Sequence, residues 1–427
     1  MKRSEIITAV DLGTTKINVI IAELKDDGSL EIKGTGSNPS LGMENGMIKD
    51  IRKTSESIKN ALDAAETKAE TKASNIYVGI AGEHIKSKNA ISRLSITDQI
   101  RGEPIEITPE HIEKVIKTAE ELVITQEGDK SQKIIHSIPQ YFEVDNQDNI
   151  IDPVDMSGYI LTAHVHVILS DVNAVRNVNK CFDLIGYKSL KIVLEPIATS
   201  KAVLTEDEML LGCILVDIGG GTTDIAAFFK NSIRFSLVRS LGGNNVTNDI
   251  ALGLTTTQKF AEKIKIEIGD VIDSEMDDDE VIEVEGMGGR QTRKQKKKYF
   301  IKIIESRMRE ILEIAYRSIT NVKYDEYMSA GLILTGGSSL LTNIDVLAKE
   351  IFNMPVRIGY PNLDKVSNPT EHLKDPRYST SIGLLYCASE QQQEPDNENK
   401  MVSTTNSALH TFKQIIRTIY ENIADFF

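Results

Sequence analysis

The stretch Leu211–Ala226, which reads LGCILVDIGGGTTDIA, decides the fold of this chain. An apolar run ends at Asp217, three glycines and two threonines follow, and a second apolar run begins at Ile225. This punctuation predicts two strands joined by a tight turn. Glycine lets a ligand approach the backbone closely and threonine adds a hydroxyl, so the turn is suited to surround phosphate oxygens.

The same pattern occurs near the N-terminus, roughly 200 residues earlier. The β-branched run Ile6–Val10 is followed by Asp11 and by Gly13–Lys16, and apolar residues resume at Ile17. Two copies of one hairpin, one in each half of the chain, predict a duplicated α/β fold and not a serial repeat array.

Together the two hairpins predict a nucleoside triphosphate held from both sides. Asp11 and Asp217 each end a strand just before a turn, where a carboxylate can hold Mg²⁺ or its waters. Lys16 can reach a β- or γ-phosphate, and Gly336-Gly337, between a predicted strand and a helix, offers a flat backbone for adenosine. The P-loop pattern is absent. The predicted phosphate-binding residues are Gly13, Thr14, Thr15, Lys16, Gly219, Gly220, Gly221, Thr222 and Thr223.

Composition excludes several classes of protein. The 427 residues include 49 Lys and Arg against 63 Asp and Glu, a net charge of −14, which disfavours nucleic-acid binding by broad phosphate neutralisation. The three widely spaced cysteines predict neither a disulfide framework nor a zinc site, and they fit a reducing compartment. We expect no signal peptide and no transmembrane helix, because apolar runs are short, so the protein is expected to be cytoplasmic.

Three connecting regions also yield predictions. Gly34–Asp50 is rich in glycine and serine and predicts loops, and separate short strands are predicted at Lys133–His136 and Tyr141–Val144. The acidic run Asp273–Glu285 and the basic run Arg290–Lys298 predict a solvated loop with oppositely charged ends. A nuclear localisation signal is the weaker alternative for the basic run.

The last forty residues differ in character from the rest. Ser389–Thr405 is polar and predicts a flexible linker, and residues 406–427 have a helical period. Such a helix can pack on a core, form a coiled coil or lie in a membrane surface, and its place after a linker favours the membrane. Its charged side chains sum to zero, so apolar burial must dominate, and many helices on one filament would bind far more firmly than one. The predicted membrane-facing residues are Leu409, Phe412, Ile416, Ile419, Ile423 and Phe426.

The order of hairpin, connector, hairpin, connector and adenosine loop resembles the actin-like ATPase superfamily. Within it, several stretches resemble the FtsA family of bacterial cell-division proteins, and the resemblance covers about residues 4 to 388. The fold implied is a duplicated actin-like α/β fold with two lobes, each carrying a small subdomain, followed by a linker and an amphipathic helix. The stretches that carry the resemblance are Ser137–Gln140, Asp152–Gly158, Leu194–Ala198, Leu211–Ala226, Gly242-Gly243, Val246–Ile250 and Ala261–Lys265.

The resemblance also implies a division into domains. The core of lobe I would comprise 1–83, 166–193 and 366–388, and the core of lobe II would comprise 194–243 and 306–365. The inserted units would be an FtsA-specific small subdomain at 84–165 and an FtsZ-docking small subdomain at 244–305. The linker at 389–405 and the membrane-targeting helix at 406–427 would complete the chain.

Further site residues follow from the resemblance alone. ATP with Mg²⁺ would bind in the cleft, with Glu262 and Lys265 beside the adenine or ribose and Gly336-Gly337 closing the site. Glu195 lies in the connector where actin-like ATPases orient the attacking water, so Glu195 and Asp217 are the catalytic candidates. A structural role for Glu195 is the alternative, and a weak ATPase is the most that is implied.

The implied partners are FtsZ, further copies of the chain and the membrane. The protein would polymerise at the inner face of the cytoplasmic membrane, at the division site, and tether FtsZ filaments there. Arg293, Arg307 and Glu310 fall where the family docks the FtsZ C-terminal peptide, although an exposed helix face with an i,i+3 pair is the alternative for Arg307 and Glu310. The acidic insertion at 273–285 departs from the family pattern and would repel an acidic peptide.

Three other proteins of the superfamily deserve comparison. A chaperone ATPase needs a large β-rich domain after residue 388, and too little chain follows it. A sugar or acetate kinase, or an FtsA-related pilus-assembly protein, remains an alternative, and the amphipathic terminal helix argues against both.

Overall fold

The computed structural model describes residues 5–97, 102–272 and 279–393. The strands in these ranges are β1 (Glu5–Leu12), β2 (Lys16–Leu24), β3 (Leu30–Pro39), β4 (Met43–Glu44), β5 (Met47–Ile48), β6 (Ile76–Ile80), β7 (Ile85–Ser95), β8 (Ile105–Glu106), β9 (Gln132–Val144), β10 (Gln147–Ile150), β11 (Ser157–Gly158), β12 (Ile160–Asp171), β13 (Lys191–Leu194), β14 (Cys213–Ile218), β15 (Thr223–Phe229), β16 (Ser232–Arg239), β17 (Val281–Val284), β18 (Arg293–Lys296), β19 (Gly331–Thr335) and β20 (Val356–Ile358). The α-helices are α1 (Ile51–Ala69), α2 (Pro109–Glu127), α3 (Val172–Asp183), α4 (Glu195–Val203), α5 (Glu206–Leu211), α6 (Gly243–Gly253), α7 (Gln258–Ile268), α8 (Lys297–Thr320), α9 (Ile344–Phe352) and α10 (Ser379–Gln393).

The first lobe is built on a five-stranded sheet in the order β13-β6-β1-β2-β3. β1 pairs antiparallel with β2, which sets Asp11 opposite Asn18, and parallel with β6. α1 and α10 both pack on this sheet, so β1 and β2 are buried along most of their length. Burial on both faces explains why these strands read as continuous apolar runs without alternation.

The second lobe repeats this arrangement in a sheet of order β16-β15-β14-β19-β20. β14 pairs antiparallel with β15, setting Asp217 opposite Asp224, and parallel with β19. In both lobes, therefore, a hairpin lies beside a third, parallel strand. The duplicated α/β fold predicted from the two hairpin motifs is confirmed.

Two helices join the lobes behind the hairpins. At Gly383 of α10, an added Cβ would lie 1.8 Å from the carbonyl oxygen of Ala198 in α4, so only glycine allows this approach. The hydroxyls of Thr199 and Thr380 share a hydrogen bond of 3.0 Å at the same crossing. α4 and α10 therefore form a closely packed pair that fixes the separation of the two lobes at this point.

The segment Gly34–Asp50 was predicted as loops, and this is wrong for much of its length. Gly34–Pro39 belongs to β3, and β4 and β5 form a short hairpin. The glycines serve close packing: a Cβ on Gly34 would lie 2.3 Å from the Ala65 carbonyl oxygen, and one on Gly36 would lie 2.0 Å from that of Ala61. These glycines let α1 cross the strand closely, a function that sequence alone does not distinguish from turn formation.

Two further predictions of local structure are corrected. The separate strands at Lys133–His136 and Tyr141–Val144 are one strand, β9, which continues through Pro139 because its register with β12 shifts there. The charged region predicted as a solvated loop contains an antiparallel hairpin of β17 and β18, in which Glu283 faces Lys294. Opposite charges on facing strands stabilise such a pair.

The C-terminal predictions fall mostly outside the residues that the structure describes. α10 extends to Gln393, so the predicted linker beginning at Ser389 is wrong for residues 389–393. The rest of the linker and the six apolar residues of the terminal helix lie beyond the described ranges. Within those ranges, no helix is long and apolar enough to cross a bilayer. The cysteines Cys181, Cys213 and Cys387 are all buried and unpaired.

The inserted four-stranded sheet, in the order β10-β9-β12-β7, covers the edge strand β16 of the second lobe. Side chains of the inserted sheet donate to main-chain carbonyls of β16: Ser87 to Ser236 at 2.6 Å and Gln140 to Ile233 at 2.8 Å. The free edge of β16 is thus hydrogen-bonded by side-chain donors and not by another strand.

Asn89 lies at the centre of this contact. Its amide nitrogen donates to the Arg234 carbonyl at 2.9 Å and to the Tyr324 hydroxyl at 3.0 Å, and its amide oxygen lies 2.6 Å from Nδ1 of His166. Burial lowers the pKa of His166 to about 3, so its ring is neutral. Nδ1 then carries the proton toward Asn89, and Nε2 accepts from the Ser236 hydroxyl at 2.9 Å.

We predict that Asn89→Ala loosens the inserted sheet from β16. The substitution leaves buried donors without acceptors, so the free energy of unfolding should fall by about 2–3 kcal/mol. Backbone amides of β16 should exchange with solvent faster by hydrogen–deuterium exchange. Asn38→Ala, which removes a half-buried asparagine whose side chain donates to the carbonyl of its neighbour Pro39, is the control. Unchanged exchange in β16 would contradict the prediction.

Candidate functional site

The two predicted phosphate hairpins face each other across the lobes. An added Cβ on Gly220 would lie 2.0 Å from Oγ1 of Thr15, and one on Gly221 would lie 2.5 Å from Oγ1 of Thr14. The threonines of the first hairpin therefore lie on the bare backbone of the second. The structure brings together the residues that sequence placed in one phosphate site.

The remaining hairpin residues shape the turns. A Cβ on Gly13 would lie 2.6 Å from the Lys16 carbonyl oxygen, so the first turn is tight. In the second hairpin, the Gly219 amide donates to the Thr222 carbonyl at 2.9 Å, and the Thr223 hydroxyl donates to the Leu241 carbonyl at 2.7 Å. The second turn is therefore fixed by its own backbone and anchored to the start of α6.

Asp11 and Asp217 lie side by side at the ends of β1 and β14, and each is only 8% exposed. Asp217 accepts from the Thr199 hydroxyl at 3.2 Å, and Asp11 accepts from the Ser381 hydroxyl at 3.4 Å. Burial, and then the charge of Asp217, raise the pKa of Asp11 to about 7. Burial also raises the pKa of Asp217 to about 6, although hydrogen bonds from the Thr199 and Thr380 hydroxyls lower it.

Two more buried carboxylates join them. Burial, and next the charge of Asp224, raise the pKa of Glu195 well above its usual value. Burial, and next the charge of Asp217, likewise raise the pKa of Asp224. Oδ1 of Asp224 is buried and has no hydrogen-bond partner among the described residues. Sequence reasoning missed Asp224, although the residue closes the Gly-Gly-Gly-Thr-Thr-Asp motif.

This donor set fits a hydrated cation. Carboxylates from both lobes, one of them with an unpaired buried oxygen, are the ligands that Mg²⁺ prefers. In the part of the chain that the structure describes, no group of three or more His, Cys, Asp or Glu converges to hold a metal ion directly. Asp11 and Asp217 therefore suit Mg²⁺ that keeps part of its water shell.

The residues predicted for adenosine also come together. Lys265 Nζ is buried and donates to the Gly243 carbonyl at 3.0 Å, to the Thr247 hydroxyl at 2.8 Å and to Glu262 Oε2 at 2.7 Å. The backbone of Gly336 is left-handed, with φ of +83°, and a Cβ there would lie 2.2 Å from Oδ1 of Asp217. Glycine is therefore required where this loop meets Asp217.

Two neighbours of this group were missed from the sequence. Thr247 lies one turn along α6 from Gly243, and a Cβ on Gly243 would lie 2.6 Å from Oγ of Ser338. A lone Ser or Thr in a helix or turn carries no motif, so only the three-dimensional contact reveals them.

Glu195 lines a pocket of about 290 Å³ at the carboxyl ends of the first lobe's strands. The β4–β5 hairpin closes one side, and its Gly46 amide donates to the Thr14 hydroxyl at 3.0 Å. Oε1 of Glu195 lies 3.2 Å from where a Cβ on Gly79 would be, and neither ring nitrogen of His84 has a partner among the described residues. The pocket thus leaves space for a water molecule beside Glu195.

The two arginines predicted to bind FtsZ donate hydrogen bonds to residues of α6 and its C-terminal end. Arg307 donates to both carboxylate oxygens of Asp249, at 2.6 and 3.2 Å, and also pairs with Glu310. Arg293 donates to the Leu254 carbonyl at the end of the same helix. The i,i+3 pair considered as an alternative is therefore present, on a surface that also exposes 79% of Leu252.

Solved structures define the class of this protein. The chain is similar to a PilM–PilN type IV pilus biogenesis complex, with a TM-score of 0.64 and 14% identity over 90% of this chain and 98% of that one. It is also similar to MreB5 of Spiroplasma citri bound to ADP, with a TM-score of 0.55 and 14% identity over 92% and 99% of the two chains. At this identity the likeness shows the fold alone: the chain has the actin-like ATPase fold, as predicted. Proteins with this fold generally bind a nucleotide with Mg²⁺.

Sequence comparison gives the family. The model "Cell division protein FtsA" matches residues 214–383, and "SHS2 domain inserted in FTSA" matches residues 82–169. The chain is 36% identical to the FtsA of Pseudomonas aeruginosa over 92% of both chains, and 38% identical to that of Neisseria meningitidis over 90% of both. It is 31% identical to that of Escherichia coli over 97% of this chain and 98% of the relative. The chain belongs to the FtsA family of actin-like cell-division proteins, which favours cell division over the pilus-assembly and kinase alternatives.

We predict that Asp11→Asn stabilises the nucleotide-free protein at pH 8 and not at pH 4. Because the pKa of Asp11 rises from 3.8 to about 7 on folding, the folded state binds this proton more tightly than the unfolded state. The free energy of unfolding therefore falls as pH rises from 3.8 to about 7. Removing the charge should restore up to about 4 kcal/mol at pH 8.

Chemical denaturation at both pH values, without nucleotide or Mg²⁺, measures this effect. Asp26→Asn, at an exposed turn, is the control and should change little. An equal gain at pH 4 and pH 8 would show that ionisation of Asp11 is not the cause.

Proposed function

We propose that this protein binds ATP with Mg²⁺, polymerises at the inner face of the cytoplasmic membrane and tethers FtsZ filaments there during bacterial cell division. The observation that carries the proposal is the contact of Thr14 and Thr15 with Gly220 and Gly221, in a chain of the FtsA family. A phosphate chain held between these hairpins would bridge the lobes. The bound nucleotide would then bias lobe closure and, through it, filament contacts.

The proposed domain division follows the boundaries set out from the sequence. The sheets support much of it: residues 84–165 contribute β7, β9, β10 and the first half of β12, which continues to Asp171, and residues 244–305 contribute nearly all of α6, α7 and the β17–β18 hairpin. We propose that the first unit makes filament contacts and that the second docks FtsZ. MamK, a structural neighbour with a TM-score of 0.50 and 14% identity, was solved as a double helical filament, which motivates the self-association proposed here.

In the proposed nucleotide site, Asp11 and Asp217 hold Mg²⁺ through water, and Lys16 and both hairpins bind the phosphates. Glu262, Lys265 and Gly336-Gly337 bind the adenosine. Glu195 would take a proton from the attacking water, which the adjacent pocket admits.

We predict that Glu195→Gln retains ATP binding and slows phosphate release at least tenfold, because a general base typically contributes a factor of about 10²–10⁴. A phosphate-release assay beside an ATP-binding titration separates the two effects. Glu83→Gln, at an exposed position of the same lobe, is the control. If Glu195→Gln binds ATP and releases phosphate at the wild-type rate, Glu195 has no catalytic role.

The proposed FtsZ-docking surface combines charge with exposed apolar side chains. Arg293 and Arg307 present guanidinium groups beside α6, while Leu252 is 79% exposed and Tyr299 is 48% exposed. A peptide with acidic and apolar residues would match both features, since arginine pairs with carboxylates in a planar fork. Glu310 would hold Arg307 in place from the adjoining turn of α8.

We predict that the full chain sediments with liposomes and carries FtsZ with it, and that a chain ending at Thr405 does neither. Phe412→Asp should weaken sedimentation as truncation does, because it places a charge on the apolar stripe, whereas Gln414→Asp, off the stripe, should not. Arg307→Glu should lose FtsZ and keep lipid binding.

Co-sedimentation with and without ATP, quantified by gel, measures these outcomes. Equal pelleting of full and truncated chains would show that the terminal helix packs on protein, and the membrane part of the proposal would fall. FtsZ recruitment unaffected by Arg307→Glu would place the docking surface elsewhere.

A further inference from the structure

A short segment at the mouth of the cleft connects the two halves of the candidate site. The 375–378 segment immediately precedes α10. Tyr378 lies under Lys16, whose Nζ is 5.4 Å from the ring centroid, and the Asn18 amide donates to the Arg377 carbonyl at 3.5 Å. On the other side, Cγ of Arg377 lies 3.5 Å from where a Cβ on Gly337 would be. The segment therefore spans from the first phosphate hairpin to the adenosine loop.

Arg377 is held within the segment by one carboxylate. Its Nε donates to Oδ1 of Asp375 at 2.8 Å and its Nη2 to Oδ2 at 2.7 Å, yet its side chain remains 57% exposed. Burial opposes ionisation of Asp375, but the hydrogen bonds from Arg377 and the charge of Lys16 hold the pKa of Asp375 below its usual value. Asp375 thus holds a partly exposed guanidinium beside Gly337.

The charges in the cleft call for a second cation. The hairpins are surrounded by four buried carboxylates, and Lys265 is already committed to Glu262, Thr247 and the Gly243 carbonyl. A triphosphate with one Mg²⁺ keeps roughly two negative charges, and enclosing them requires compensating cations. Lys16 supplies one of these charges.

We propose that Arg377 supplies the other, by leaving Asp375 and contacting the phosphates of the bound nucleotide. The inference rests on the nucleotide binding proposed above and adds a binding residue to that site. Tyr378 next to Arg377 lies under Lys16, and Cγ of Arg377 lies beside Gly337, so Arg377 lies between the first hairpin and the Gly336-Gly337 loop. A planar guanidinium can exchange one pair of oxygens for another, because carboxylate and phosphate both match its fork. Asp375 then competes with the nucleotide and limits its affinity.

Three substitutions in the full chain test this exchange. Arg377→Ala should weaken MgATP and MgADP binding at least tenfold and leave adenosine binding within twofold, because adenosine carries no phosphate. Asp375→Asn should tighten MgATP binding severalfold, because it frees Arg377 while keeping a side chain that still caps the following turn. Arg377→Lys should fall between wild type and Arg377→Ala. Isothermal titration calorimetry at low and moderate salt measures each affinity.

Lys374→Ala is the matched control, since Lys374 is a neighbouring exposed cation paired with Glu371 at 2.8 Å. It should change MgATP affinity by less than twofold, and thermal unfolding without nucleotide verifies that each variant folds. Unchanged MgATP binding in Arg377→Ala, or an equal loss of adenosine binding, would overturn the inference while leaving the proposed function intact. A wild-type chain that binds neither ligand would overturn the proposed function and this inference with it.

Discussion

The contact between two threonines and two glycines governs this molecule. Thr14 and Thr15 lie so close to Gly220 and Gly221 that no larger residue fits on the glycine side. The lobes are also fixed behind this contact, where Gly383 of α10 meets Ala198 of α4. Because the two hairpins already touch, a ligand that binds both would lie along their turns and hold together lobes that the helix pair also joins behind them. The ligand then needs to supply only a modest difference in free energy between open and closed states.

The buried carboxylates determine how strongly a bound cation would favour the closed arrangement of the lobes. Asp11 comes from one lobe and Asp217 from the other, and each raises the cost of ionising its neighbours in a site shielded from water. A cation between them reverses this cost, because it favours the ionised forms that burial disfavours. The same charges that oppose closure of the empty cleft therefore become attractive once Mg²⁺ and a polyanion are present. The coupling between a bound cation and lobe closure is therefore electrostatic, while close packing sets the distance between the two hairpins.

Sequence patterns predicted the features that depend on local chemistry. Both hairpins, the duplication and the glycines of the adenosine loop were readable because turns and strand ends demand particular residues in a fixed order. The features missed depend on packing between distant segments. Gly34 and Gly36 were assigned to loops because glycine marks turns and close helix contacts alike. Asp224 ends a recognised motif, but its charge interaction with Asp217 depends on strand pairing, and Arg377 carries no pattern until the fold sets it beside Gly337. The continuous strand through Pro139 depends on a shift of register that only the partner strand reveals.

The inserted sheet extends the consequences of lobe closure beyond the cleft. It grows from the first lobe, between β6 and α3, yet Asn89, Gln140 and Ser87 bond it to the edge strand of the second. A rotation of the second lobe must therefore carry the inserted sheet with it or break a buried polar network. Breaking it leaves several donors unpaired, each at a cost of about 1–3 kcal/mol, so carrying the sheet is the less costly course. Movement that begins at the two hairpins would then reposition a surface far from them, because the inserted sheet follows the second lobe.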